Sequence, residues 1–331
     1  MNDSLLAAWP ITAPWSIRPQ SGGINNDTRF VETPSGNFIL RIYGATRDLA
    51  KIRYELAVMA ELRRQPLSFA VAEPLPSRSG DPIVLTDTGA PAILMPVIAG
   101  IQAERGSLEQ AFPIGVALGE LTRAMGNVRA EAPPSWRGTY GDLAPFPDID
   151  PLSVAAQAPI SPEEQDRLKK LIRWVQERVP AMYAALPRQI IHGDFVPYNL
   201  LMQGNRVSAV LDFEIAMHDL RALDLAMALA AWGSGRWHTG DEWTMLEAFC
   251  RGYFSRMTLT QAEIEALPFL MRLRRSVNFL HMCGRYLRGA APLEIALHGS
   301  SGALELDGWL ELHGPELVTR VSAWARNAVA E

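Results

Sequence analysis

Ile190-Ile191-His192-Gly193-Asp194-Phe195-Val196-Pro197-Tyr198-Asn199, with the apolar run Val207 to Leu211 and Asp212-Phe213-Glu214 behind it, is the stretch on which the reading of this chain turns. An Asp and an Asn stand five residues apart in a loop that contains Gly and Pro. Thirteen residues after the Asn, a β-type run ends in a second Asp. Transfer of a phosphoryl group from ATP asks little covalent chemistry of a protein. The nucleophile must be oriented, magnesium held and developing charge neutralised. One carboxylate can position an acceptor hydroxyl and take its proton. A second carboxylate and a neutral amide oxygen are hard-oxygen ligands for magnesium, which keeps waters and substrate phosphates as its other ligands. Singly, each residue reads as readily as a turn former or a helix cap. Together, at this spacing, they point to a phosphotransferase centre.

HGDFVPYN followed by VLDFE resembles the catalytic loop and metal-binding strand of the aminoglycoside phosphotransferase and choline kinase superfamily, which is distantly similar to the protein kinases. The resemblance implies an α+β, bilobal, protein-kinase-like fold. Residues 1–98 would form a small β-rich N-lobe with the nucleotide-binding sheet and one helix. Residues 99–331 would form a larger, mainly helical C-lobe with the catalytic loop, metal site and acceptor site. It also implies ATP and Mg2+ as cofactors, Asp194 as catalytic base, and Asn199 and Asp212 as metal ligands. His192 is expected to brace the loop by hydrogen bonds, and Asp224 to anchor it from below. The loop SGGINNDTRFVET, the strand ILRIY with the helix ELAVMAEL, and the run DFEIAMHDLRALDLAMALAAW look most like the homoserine kinase type II-like branch. The best expectation for the acceptor is therefore homoserine or a similar amino alcohol. Aminoglycoside, choline and sugar kinases share the same catalytic kit, and a non-catalytic nucleotide-binding pseudokinase is the alternative from another class.

Working outward towards the N-terminus, Asp27 to Thr33 and Phe38 to Tyr43 read as two strands joined by the turn Pro34-Ser35-Gly36-Asn37. Gly22 and Gly23, just before this hairpin, are candidates for a phosphate-covering loop, because glycine lets backbone amides approach a nucleotide. No GxxxxGK[ST] sequence occurs. Arg41 stands where protein kinases place a phosphate-binding Lys; it keeps the charge but is bulkier and differently hydrated. Arg47 to Arg64 has helical spacing of Ile52, Leu56 and Met59 and lacks Gly and Pro. Glu55 on that helix is placed to pair with Arg41. Pro91 to Pro96 is a short strand, and Met95 to Ile98, with Met95 and Val97 in the binding set, form the expected hinge whose backbone holds adenine.

Beyond Ser107 helices dominate. Ala130 to Pro159 reads as an irregular insert, and Ser161-Pro162-Glu163-Glu164 as a capping box opening a helix that Pro180 should kink or end. Two short strands, near Leu200–Met202 and Val207–Leu211, are followed by helices to the end. Glu214 and Asp219 are candidates for a substrate ammonium, and Arg272, Arg274 and Arg275 for a substrate carboxylate. Asp212-Phe213-Glu214 runs quickly into a helix, without the long activation segment a protein-substrate kinase needs.

A net charge of -5 in 331 residues gives no electrostatic reason to expect nucleic acid or an anionic membrane as partner. No window approaches the ~18 consecutive apolar residues of a membrane helix. Two cysteines, Cys250 and Cys283, lack metal-ligand spacing and fit a reducing, cytoplasmic setting. The expected partner is a small-molecule hydroxyl acceptor, and nothing in the sequence sets an oligomeric state.

Overall fold

Period-two alternation builds the first sheet. In the computed structural model, which describes residues 3–19, 26–44, 46–133, 138–143 and 149–330, β2 (Asn26–Thr33) and β3 (Gly36–Tyr43) form the expected hairpin. They join β1 (Ser16–Pro19), β5 (Val84–Leu85) and β6 (Pro91–Pro96) in the order β1-β2-β3-β6-β5. Because successive side chains of a strand face opposite ways, Phe38 and Leu40 meet Leu5, Leu6 and Trp9, the first two from helix α1 (Asp3–Leu6). Arg41 and Tyr43 face the other side, towards helix α2 (Leu49–Arg63), where both reach Glu55. Asp48 caps α2, its carboxylate accepting from the Ala50 N–H at 2.9 Å. Gly22 and Gly23 lie outside the described residues.

One short strand from the first 98 residues pairs outside the first sheet. β4 (Ala70–Val71) pairs in parallel with β10 (Arg206–Val210), in a second sheet of order β4-β10-β9-β7 with β9 (Leu200–Gln203) and β7 (Ile101–Gln102). The chain leaving α2 is thus stitched to the catalytic half, and Ser68 adds to this by donating its N–H and hydroxyl to Glu120.

The C-terminal half packs helices α3 (Leu108–Met125), α4 (Pro151–Ala156), α5 (Pro162–Ala185), α6 (Leu223–Gly233), α7 (Glu242–Phe254), α8 (Gln261–Glu265), α9 (Leu267–Leu287) and α10 (Leu293–Ala330). α3 and α7 approach almost backbone to backbone. A Cβ on Gly115 would stand 2.1 Å from the Phe249 carbonyl oxygen, and one on Gly252 2.2 Å from that of Phe112. The Ser161/Glu164 capping box opens α5 as expected.

Three expectations need correction or narrowing. Of the two outcomes expected at Pro180, a kink or an end, the end is excluded, because α5 runs on to Ala185. Val179, Met182 and Tyr183 pack against the core around it, and that burial outweighs the one backbone hydrogen bond a proline forfeits. The insert Ala130 to Pro159 is not wholly irregular, since Asp150 caps α4 within it. The stretch after Asp212 is not all helix. β11 (Met217–Leu220) pairs antiparallel with β8 (Arg188–Ile191), two four-residue strands too short to show a period.

Candidate active site

The β8–β11 ribbon aims the loop His192-Gly193-Asp194 out of the sheet, and Asp224, in the first turn of α6, anchors it. The Asp224 carboxylate accepts the backbone N–H of His192 at 2.8 Å and of Gly193 at 2.9 Å. Burial raises its pKa, against the opposing pull of these two N–H groups. Gly193 has φ +79, and a Cβ there would stand 2.9 Å from the Ile215 carbonyl oxygen, so glycine is required twice over. Tyr140 clasps the same turn, its hydroxyl donating to the Gly193 carbonyl at 2.6 Å.

His192 is fully buried and braces the loop. Its Nδ1 accepts the Asp194 N–H at 3.1 Å, and its Nε2 lies 3.0 Å from the Leu211 carbonyl. A neutral ring protonated on Nε2 satisfies both contacts. The ring also packs 4.7 Å from that of Phe213, tying the loop to the strand that ends in Asp212.

A short 3-10 turn, Pro197–Asn199, brings Asn199 back onto Asp194. The Asn199 amide nitrogen donates to the Asp194 carbonyl at 2.9 Å and to its carboxylate at 3.0 Å. With the nitrogen engaged there, the amide oxygen is the atom left for a cation. Asp212 sits at φ +65, a conformation costly for a residue with a Cβ. Its Oδ1 is 3.2 Å from Arg41 Nη2, in a geometry outside a hydrogen bond, and is buried without a hydrogen-bond partner. A buried carboxylate oxygen that makes no hydrogen bond and a free amide oxygen are hard-oxygen donors of the kind that fit Mg2+.

Arg41 is held between two acids, its Nη1 bonding Glu55 at 3.1 Å. Burial depresses the guanidinium's pKa, but Asp212 and Glu55 outweigh it and the net shift is upward. Burial pushes the Glu55 carboxyl up to about 7, against the pull of Arg41 and the hydrogen bond from Tyr43 at 3.0 Å. Met95 is buried opposite Ile39 in the sheet. Val97 turns its N–H to the Asn37 carbonyl at 3.0 Å, so that N–H is spent within the sheet. By strand alternation the Pro96 carbonyl and the Ile98 N–H turn to the opposite edge.

A cavity of about 470 Å3 opens beside Asp194, lined among others by Lys51, Tyr140, Tyr198, Glu214, Arg274 and Asn278. A larger cavity, about 640 Å3, contains none of Asp194, Asn199 and Asp212; chemistry, not size, identifies the site. Glu214 accepts from Asn26 at 2.6 Å at the mouth of the first cavity. Asp219 is instead fully buried. It takes the Tyr140 N–H at 2.7 Å, the Tyr183 hydroxyl at 2.6 Å and its neighbour Leu220's N–H at 2.6 Å, a structural role that removes it as an ammonium receptor. Of the three arginines, Arg272 pairs with Asp307 at 2.6 Å and Arg275 donates to the Ala230 carbonyl at 2.7 Å. Only Arg274 lines the cavity. Tyr140, Tyr198, Asn278 and Lys51 carried no sequence signal. Tertiary packing alone brings them in.

Residues 16–266 match the phosphotransferase enzyme family. The chain belongs to that family. Among curated relatives it resembles homoserine kinase of Nitrobacter winogradskyi, 27% identical over 302 residues with 87% of each chain covered. Homoserine kinase of Rhodopseudomonas palustris (strain BisA53) is 29% identical over 302 residues, again with 88% of each chain covered. Among solved structures, the microcompartment-associated aminopropanol kinase aligns with a TM-score of 0.75 at 20% identity, over 96% of this chain and 98% of the other. A choline/ethanolamine kinase family protein from Mesorhizobium loti aligns with a TM-score of 0.65 at 18% identity, over 98% and 97%. These structural matches establish the kinase-like fold. This phosphotransferase is a small-molecule kinase, an ATP-dependent enzyme with an alcohol group as acceptor. Among the described residues no helix is long and apolar enough to cross a membrane.

Proposed function

We propose that this phosphotransferase moves the γ-phosphoryl group of Mg2+-ATP to the hydroxyl of homoserine or a similar short amino alcohol. The observation that carries the reading is the cluster in which Asp194 and Asn199 are hydrogen-bonded at 3.0 Å while Asp212, ion-paired with Arg41, keeps a buried carboxylate oxygen that makes no hydrogen bond.

Asp194 accepts a hydrogen bond from the acceptor hydroxyl and orients its oxygen towards the γ-phosphorus. The new O–P bond forms as the bond from the γ-phosphorus to the β,γ-bridging oxygen breaks, and the hydroxyl proton passes to Asp194. Asn199 and Asp212 would hold Mg2+, which supplies Lewis-acid neutralisation of the phosphate charge when bound. Arg41, kept in place by Glu55, faces the α- and β-phosphates. The backbone from Met95 to Ile98 lines the adenine, with Pro96 and Ile98 offering the outward groups. The two lobes meet at this connector, near residues 98–99. A cytoplasmic location fits the ATP requirement and two buried, unpaired cysteines.

The test is magnesium-dependent ATP consumption with L-homoserine, choline, ethanolamine, sugars and aminoglycosides, with Asp194→Ala as control. An amino alcohol that stimulates consumption by wild type and not by the variant is the expected result. Stimulation by an aminoglycoside or sugar alone would refute the acceptor assignment.

A further inference from the structure

Arg274 is differently placed from its neighbours on α9. Its Nη2 lies 3.0 Å from Asp194 Oδ1 and its Nη1 2.9 Å from Asn278 Oδ1, with the guanidinium 5.3 Å from the Tyr140 ring centre. Its Nε is buried without a hydrogen-bond partner. A guanidinium has five N–H donors, so the protein leaves this one under-supplied with acceptors. One of its two side-chain acceptors is also the carboxylate that the acceptor hydroxyl must reach.

The local charge has the same sense. The neighbouring Arg275 has its pKa pushed down to about 10 by burial and by the nearby Arg274 and Arg105, against the pull of Glu305. The acids Asp212, Glu55 and Glu214 are coupled instead to Arg41 and Lys51. On its α9 side the cavity therefore presents the Arg274 guanidinium, with N–H donors to spare beyond Asp194 and Asn278. An acceptor whose only charge is an ammonium would meet a like charge here.

We propose that Arg274 is the specificity-determining residue of the acceptor site, binding the carboxylate of a short hydroxy acid or amino acid whose hydroxyl is held by Asp194. This rests on the kinase reading above and narrows it to carboxylate-bearing acceptors. The geometry fits. Nη2 already touches Asp194, so a carboxylate on the guanidinium lies on the order of 5 Å from the hydroxyl, about the reach of a four-bond chain. Homoserine has that reach, whereas 3-amino-1-propanol is the same molecule without the carboxylate. A carboxylate contact at Arg274 would separate homoserine, in the names of the curated relatives, from aminopropanols, which lack a carboxylate.

The experiment compares matched pairs, L-homoserine with 3-amino-1-propanol and L-serine with ethanolamine, on wild type, Arg274→Met and Arg274→Lys. Wild type should favour a carboxylate-bearing member by at least about 100-fold in kcat/KM, since a site built for a polar group strongly rejects the analogue lacking it. In Arg274→Met that preference should collapse, with homoserine losing about 100- to 1000-fold and aminopropanol no more than about tenfold. Arg274→Lys should restore part of the preference, because the charge survives without the fork. An equal loss for both members would make Arg274 only a partner of Asp194 and overturn the proposal, as would a wild type preferring the carboxylate-free members. Nucleotide affinity is the fold control, and if Arg274→Met loses it the comparison passes to Arg274→Lys, where a preference equal to wild type refutes the role. Absence of acceptor-stimulated ATP consumption by any compound removes the kinase reading instead. Calorimetric titration with L-homoserine then decides Arg274 separately: heat with wild type and none with Arg274→Met supports it, and no heat with either overturns it.

Discussion

Asp194, Asp212 and Glu55 are three carboxylates of the candidate site, and the proposed mechanism gives them three tasks. Asp194 faces the acceptor cavity, so Asp194→Ala should lower kcat by about 100- to 10,000-fold while nucleotide affinity stays near wild type. Single-turnover kinetics and titration calorimetry read the two quantities separately. Asp212→Ala should do the converse, weakening Mg2+-ATP binding itself, which the same titration measures. Glu55 supplies a pH signature. Its carboxyl rises to about 7 in the fold, from roughly 4.3 in an unfolded chain. The folded state therefore binds an extra proton between these values. The associated stability is complete below the lower value and is lost as pH rises through the upper one. Denaturant unfolding of wild type should weaken between pH 5 and pH 8 more steeply than that of Glu55→Gln.

At the scale of elements, the α3–α7 contact is the most constrained feature. Gly115 and Gly252 let the two helices meet through their backbones, and a methyl group at either would fall inside the van der Waals distance of a carbonyl oxygen. Gly115→Ala raises helix propensity, yet it must push α7 away. A net loss of about 1–3 kcal/mol in unfolding free energy is expected, despite a gain near 1 kcal/mol expected of the same change in an exposed helix. Chemical denaturation measures the sign directly. The loop anchor belongs to this scale as well. Asp224 on α6 holds two N–H groups of the loop between β8 and the 3-10 turn at a buried position. Asp224→Ala should cost about 1–3 kcal/mol through the orphaned N–H groups.

For the whole molecule, the two halves are joined by more than the connector after β6. β4 belongs by sequence to the first 98 residues and by hydrogen bonding to the sheet that carries Asp212's strand. Nucleotide binding between the halves should therefore stabilise the chain as a unit. At a hundred times its Kd, Mg2+-ATP is expected to add about 2.7 kcal/mol to unfolding free energy. A single cooperative thermal transition should move upward, and in Asp212→Ala the same nucleotide concentration should move it far less.

Local chemistry was enough to expose part of this protein in its sequence. The hairpin, α2 and the capping box of α5 rest on alternation, helical spacing and side-chain caps, all of which act between residues near in the chain. Asp194, Asn199 and Asp212 stand within one short stretch, so their spacing marked them together and the resemblance of HGDFVPYN and VLDFE gave them roles. The strands β8 and β11 escaped notice because four residues carry no readable period, and Pro180 did not end α5 because packing around Val179 and Tyr183 overrode a local preference. Asp219 and Arg274 were equal candidates for substrate charges. Only the tertiary fold buried the first under Tyr140 and Tyr183 and turned the second into the cavity. Which face a charged side chain meets depends on residues far away in the chain. That is the reason the candidate catalytic stretch was legible in the sequence, whereas the cavity wall facing it was decided by the packing of α9.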